Sequence, residues 1–181
     1  MKRIKTLLIV VLAFVSISTY AQFYVGATVG PQIPLGDLSD GGKTGFGLNL
    51  SGKYLLNDNM AVGLNLGYNS FGTDLKGFTF SFMPITGLFE YHINLDQFTP
   101  YVGADLGLYN YRYKMKGEIM GEKFNNSDSE IYFGFAPTVG ALYNINSDIA
   151  LTANAKYNFV LTEDDPSSFL GINFGIVYKI K

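Results

Sequence analysis

Residues 169–181 read Phe-Leu-Gly-Ile-Asn-Phe-Gly-Ile-Val-Tyr-Lys-Ile-Lys. Leu170, Ile172, Phe174, Ile176, Tyr178 and Ile180 share one parity, and Gly171, Asn173, Gly175 and Lys179 share the other. Side chains alternate faces along a strand, so this is a β-strand with one bulky apolar face and one small or polar face. No residue follows it to cover its edge. An uncovered edge invites pairing, so the rest of the chain is expected to pair with this strand and close a barrel.

The same alternation recurs seven times upstream. The predicted strands are 22–32, 44–56, 60–71, 77–93, 99–112, 130–145 and 149–161. In the second, Phe46, Leu48, Leu50 and Tyr54 oppose Gly45, Gly47, Asn49, Ser51 and Lys53. Pro31 and Pro34 are expected to end the first strand. The fourth is irregular: Phe78, Phe80 and Phe82 have one parity, and Ile85, Phe89, Tyr91 and Ile93 the other. Two explanations are open, a bulge at Met83-Pro84 that swaps the faces or an upper half that projects beyond a membrane.

Turns at 57–59, 94–97 and 146–148 are short, and Asn and Asp suit them because they tolerate left-handed backbone. The connections at 31–43, 72–76, 113–129 and 162–168 are mostly longer and more polar. Tyr54, Tyr91 and Tyr143 each stand three residues before Asn57, Asn94 and Asn146, always on the apolar face, and Tyr178 holds the equivalent place in the last strand. Four tyrosines at one height read as a periplasmic aromatic belt, ring in lipid and hydroxyl at the headgroups.

Composition decides which face is inside. Charged residues make up 15%, against roughly 25% in a soluble domain, yet mean hydropathy is only +0.15. The chain has 21 Gly, 13 Tyr and 15 Phe, with no Cys or Trp. A soluble barrel needs charges over its outer face. Here the small face is mostly Gly, Asn, Ser and Thr, and its charges are Lys53, Glu90, Asp105, Lys156 and Lys179. These residues suit a narrow polar interior with lipid outside. The predicted fold is all-β, an eight-stranded antiparallel up-and-down transmembrane β-barrel. Lys53, Glu90, Asp105 and Lys156 are expected to form a buried charge and hydrogen-bond network, because a buried charge without a partner is costly. Eight strands enclose about enough room for side chains, so a wide pore is not expected.

Lys2, Arg3 and Lys5 precede an apolar run from Leu7 to Val15, and Thr19-Tyr20-Ala21 offers small residues before Gln22. Nine apolar residues fall short of the ~20 needed to span a bilayer as a helix. Residues 1–21 therefore read as a cleaved signal peptide and 22–181 as the barrel. Cleavage removes three of the 13 cations and none of the 15 acids, leaving a net charge of −5. Nucleic-acid binding is not expected of such a chain.

The residues give little sign of catalysis. The only His, His92, faces the small side beside a short turn. It reads as a satisfied lumen histidine rather than a base. With no Cys, a structural zinc site is not expected. Glu163-Asp164-Asp165, Asp37 and Asp40 read as solvated acidic loops rather than a cation site. Lys114, Lys116 and Lys123 suit lipopolysaccharide phosphates, but Glu118 and Glu122 make that surface mixed. No cofactor is expected.

Pro100-Tyr101-Val102-Gly103-Ala104-Asp105-Leu106-Gly107-Leu108 resembles a strand of the small outer-membrane β-barrel family, which includes OmpX-like and Ail-like proteins and the barrel of OmpA. The chain end resembles that family's terminal assembly signal, with Asn173, Gly175, Tyr178 and Ile180 in place, although it closes on Ile180-Lys181 rather than an aromatic. The leader ending Ala21-Gln22 is similar to those of Bacteroidota. The resemblance implies a Gram-negative outer-membrane location, contact with outer-membrane lipid and lipopolysaccharide, and insertion by the barrel-assembly machinery. The expected unit is a monomer, and residues 22–181 are expected to leave no room for the peptidoglycan-binding domain that OmpA-type proteins carry after the barrel. It names no single activity, since this fold hosts adhesins, enzymes and structural proteins. The expected role is envelope integrity or surface interaction through the loops, with a narrow porin-like channel or small-ligand carrier as the alternative. A lipid-modifying enzyme is the more distant possibility.

Overall fold

The computed structural model describes residues 22–73, 78–119, 122–163 and 165–180, with backbone alone over 115–126. The signal-peptide reading of 1–21 lies outside them. The strands are β1 (Phe23–Leu35), β2 (Gly45–Leu55), β3 (Met60–Gly72), β4 (Phe78–His92), β5 (Phe98–Ile119), β6 (Glu122–Asn144), β7 (Ile149–Leu161) and β8 (Ser167–Ile180). They form one closed antiparallel barrel in sequence order. β8 closes on β1, with Phe23 opposite Ile180 and Leu35 opposite Ser168. Closure leaves no sheet edge unpaired, which a membrane requires.

The bulky parity faces outward. Leu64, Ile131 and Val139 are each more than 60% exposed, and they belong to an apolar surface far too continuous for water. The small parity faces the lumen, where strands approach closely. A Cβ on Gly63 would lie 2.0 Å from the Gly52 carbonyl oxygen, and one on Gly175 would lie 1.9 Å from that of Ala27. Glycine at these inward positions lets the sheet curl tightly.

Two expectations about strand ends are corrected. β1 runs through Pro31 and Pro34 to Leu35. Its ladder to β8 is interrupted between Val29 and Gln32, while pairing with β2 continues from Pro31 to Phe46. A missing N–H there costs nothing on the continuous side. The polar stretch 113–129 is not an open loop. β5 and β6 stay paired out to Ile119 opposite Glu122. An antiparallel hairpin satisfies its own backbone groups, so it can continue into water without an apolar face.

β4 is corrected too. Its register is the same on both sides of Pro84, from Phe80 opposite Tyr113 to Ile85 opposite Leu108. No bulge swaps the faces. Phe80 and Phe82 point into the lumen, beside the inward Pro84. The ladder to β3 merely lapses between Leu66–Ile85 and Asn69–Phe82. The irregular pattern arises because the lumen itself turns apolar at this height.

The short turns repeat one device. Asn57 Oδ1 accepts from the amides of Asn59 and Met60, both at 2.9 Å. Asn146 Oδ1 accepts from those of Asp148 and Ile149, at 2.9 and 2.8 Å. Asx turns of this kind fix the hairpins and hence the register. At 95–98 the turn places Asp96 at φ +49°, which Asp tolerates.

Candidate functional site: the lumen and its mouth

Alternation places three layers inside the barrel. Nearest the short turns, Tyr101, Leu142, Ala150 and Val177 form an apolar floor with Tyr24 against it. A polar layer lies above. At the loop end Phe71, Phe80, Phe82, Tyr109, Val160 and Phe169 form a buried plug. Its rings meet across the lumen from β3, β4 and β8. Phe71 stacks on Phe80 at 5.0 Å, meets Phe169 edge-on at 5.2 Å, and Phe82 stacks on Phe169 at 5.4 Å. Each such aromatic pair adds about 0.5–1.5 kcal/mol beyond its burial.

Of the four residues expected in a lumen network, the structure joins Lys53 to Glu90 and Lys156 to Asp105. Lys53 Nζ donates to Glu90 Oε1 at 2.7 Å and Oε2 at 2.9 Å. Lys156 Nζ donates to Asp105 Oδ2 at 2.6 Å. All four face inward, on β2, β4, β5 and β7. The pairs recruit partners that sequence reading did not assign to them. His92 Nε2 lies 2.9 Å from Glu90 Oε2, Thr86 donates to Asp105 Oδ2 at 3.1 Å, and Lys53 Nζ stands 5.4 Å from the Tyr101 ring centroid. For His92 the available signal was parity, since Glu90 and His92 sit two apart on one strand face.

An amide relay adds to the layer. Gln32 Nε2 donates to Asn173 Oδ1, and Asn173 Nδ2 donates to Asn154 Oδ1, each at 3.0 Å. At the plug's underside Tyr109 donates to Asn158 Oδ1 at 3.1 Å. The cavity left in the polar layer is about 30 Å³ and is lined by Lys53, Asn65, Glu90 and Asn173 among others. That is room for no more than a few water molecules. A second cavity of about 110 Å³ lies nearer the turns, beside His92 and Asn144.

Tyr54, Tyr91, Tyr143 and Tyr178 all stand on the outer face near the short turns, with Phe23 and Phe98 beside them. In β8, Asn173 and Gly175 face the lumen, whereas Tyr178 and Ile180 face outward opposite Val25 and Phe23. Lys179 faces inward opposite Tyr24.

Chemistry beyond packing is sparse. Among the described residues, no three His, Cys, Asp or Glu side chains stand together as a metal site requires. His92 is held by a carboxylate that already carries Lys53, and its ring lies 5.5 Å from that of Tyr101. Lys114 is exposed on the outer face of β5. Lys116, Glu118, Glu122, Lys123 and Asp164 lie outside the described side chains.

The sequence matches the family model described as "Outer membrane protein beta-barrel domain" over residues 7–179. No curated protein matches it. Several solved structures share the fold. Neisserial surface protein A is 20% identical with a TM-score of 0.67, covering 87% of this chain and 97% of its own. A major outer membrane protein from Thermus thermophilus is 16% identical with a TM-score of 0.62, covering 89% and 100%. Ail, the attachment invasion locus protein of Yersinia pestis, is 17% identical with a TM-score of 0.58 in its complex with the heparin analogue sucrose octasulfate, covering 88% and 99%. At these identities the likeness is one of fold.

Proposed function

The chain belongs to the outer-membrane protein β-barrel domain family, and from that premise we propose that it is a closed, non-catalytic barrel of the outer membrane. It acts in envelope integrity or in surface contacts made by its loops. The observation that carries this reading is the occluded lumen, with an aromatic plug above an ion-paired polar layer. A solute would have to part rings buried to 5% exposure or less and pass two ion pairs that face the lumen.

Orientation follows the usual arrangement of such barrels, with short turns and both chain ends in the periplasm and the long β5–β6 hairpin outside. The outer-leaflet partner is then lipopolysaccharide, assembly is by the barrel-assembly machinery, and the working unit is a monomer exported by a cleaved leader. The presence of an attachment invasion locus protein among the fold's neighbours supports the surface-contact half of the proposal.

The second reading, a narrow channel or small-ligand carrier, is favoured by the polar mid-lumen and the cavity near the turns. The plug opposes it. Cells lacking the gene, complemented with the full chain or with a chain shortened by the 113–129 hairpin, test the two halves of the role. If the shortened barrel restores resistance to detergent, the wall itself serves the envelope. If only the full chain restores adherence to a surface, the hairpin is the contact. Neither chain restoring either property contradicts the proposal.

A further inference from the structure

At the loop end, outside the plug, lies a groove of about 430 Å³ lined by Phe78, Phe80 and Tyr111, with Leu38, Asp37 and Asp40 from the β1–β2 connection. We propose that this groove binds an organic cation with an apolar or aromatic body, such as an aryl-alkyl ammonium. The proposal deepens the surface-contact reading, and it rests on that reading only for the side from which the ligand arrives.

The walls are set in advance. Phe80 is fixed by its stack on Phe71, and Tyr111 contacts both Phe80 and Phe82, with ring centroids 6.3 and 5.1 Å apart. Rings already held by a buried cluster cost little further ordering when a ligand enters. Phe78 and Tyr111 stay partly exposed at the groove, and Phe80, 5% exposed, forms its floor. A Cβ on Gly42 would lie 3.1 Å from Phe80 Cζ and 2.5 Å from the Leu38 carbonyl oxygen, so the loop packs closely on that ring and leaves no room for a side chain in the groove. Gly42 is bridged to Thr73, and the Lys43 amide donates to the Gly72 carbonyl at 2.8 Å, which pins the loop over the groove.

Charge chooses the occupant. Asp37 and Asp40 stand exposed at the rim, on and just after the 3₁₀ turn Gly36–Ser39. An aromatic face attracts a cation, more strongly where water is partly excluded. Two carboxylates at the same mouth attract it again, repel an anion and give a neutral hydrocarbon nothing. The plug beneath stops such a ligand at the surface, which makes the groove a place of capture rather than entry.

The test uses the full refolded barrel in detergent micelles, titrated by calorimetry with benzyltrimethylammonium and, separately, with benzenesulfonate. The expected result is saturable one-site binding of the cation and none of the anion. Asp37→Asn with Asp40→Asn, both exposed and shape-preserving, should weaken binding about tenfold or more through loss of the charged contacts. Tyr111→Leu should weaken it too, with heat-modifiable gel migration confirming the fold. The absence of saturable cation binding, equal binding of the anion, or an unchanged affinity in the double Asn variant overturns the proposal. Protease cleavage of 113–129 in intact cells reports orientation separately, so a periplasmic loop end would sink the surface reading while leaving the binding result in place.

Discussion

Lys53 and Glu90 form a bidentate ion pair across the strand that separates them. β2 carries the lysine, β4 the glutamate, and between them β3 presents Ala61 and Gly63, opposite Glu90 and Lys53 respectively. Small residues on the middle strand give the two long side chains room to meet over it. Taking both ions out of water costs several kcal/mol each, so their geometry must be good for the pair to persist.

Lys53→Met should therefore destabilise the barrel by about 3–5 kcal/mol, because it leaves a buried carboxylate whose remaining side-chain hydrogen-bond partner is His92. Lys53→Met with Glu90→Leu should recover most of that loss. Urea unfolding in lipid vesicles, followed by tyrosine fluorescence and gel migration, measures both. A double variant as unstable as the single one would show that packing, not the stranded charge, is at fault.

Gly63→Val should impair folding far more than Gly87→Ala. The first places a Cβ 2.0 Å from a backbone oxygen, whereas at Gly87 the nearest atom would be 3.8 Å away. Overpacking of a rigid wall typically costs about 1–3 kcal/mol and more where the backbone must move. The fraction of heat-modifiable protein after refolding reads the difference.

Phe169→Ala removes a ring that touches both Phe71 and Phe82 in the plug. The loss should be about 3–5 kcal/mol, as for other buried phenylalanines. Thermal unfolding in micelles is the check, and a loss under half of this would mean that the plug collapses onto the gap.

Tyr178→Ala with Ile180→Ala should lower the amount assembled in the outer membrane more than Val102→Ala, an outward residue of β5 with similar exposure. Membrane fractionation at equal expression compares them. Equal assembly of both variants would remove the terminal strand's claim to be a recognition signal.

Much of the barrel was legible because a lipid-facing wall and a packed interior impose period two on every strand, and because Asn-rich turns mark the hairpins. The β8 alternation and the Tyr54, Tyr91 and Tyr143 spacing carried that information directly. The irregularity of β4 was misread for one reason: a reading by parity assumes that inward means polar. Phe71, Phe80, Phe82 and Phe169 are inward and apolar, as are Leu142 and Val177 at the other end. At both ends of the lumen the contrast between faces vanishes, so β4 looked broken when its register was intact. Hairpin 113–129 was hidden for the opposite reason, since beyond the membrane neither face needs to be apolar. Which charges met could not be read either, because Lys53 and Glu90 are joined by register across three strands.

The closed lumen is the central claim, and single-channel recording in planar bilayers tests it most directly. Purified, refolded protein should insert without producing conductance steps, because the plug and the ion-paired layer both stand across the lumen. Sustained porin-like steps from the wild-type chain, at the protein concentration where gel migration shows it fully folded, would contradict the account.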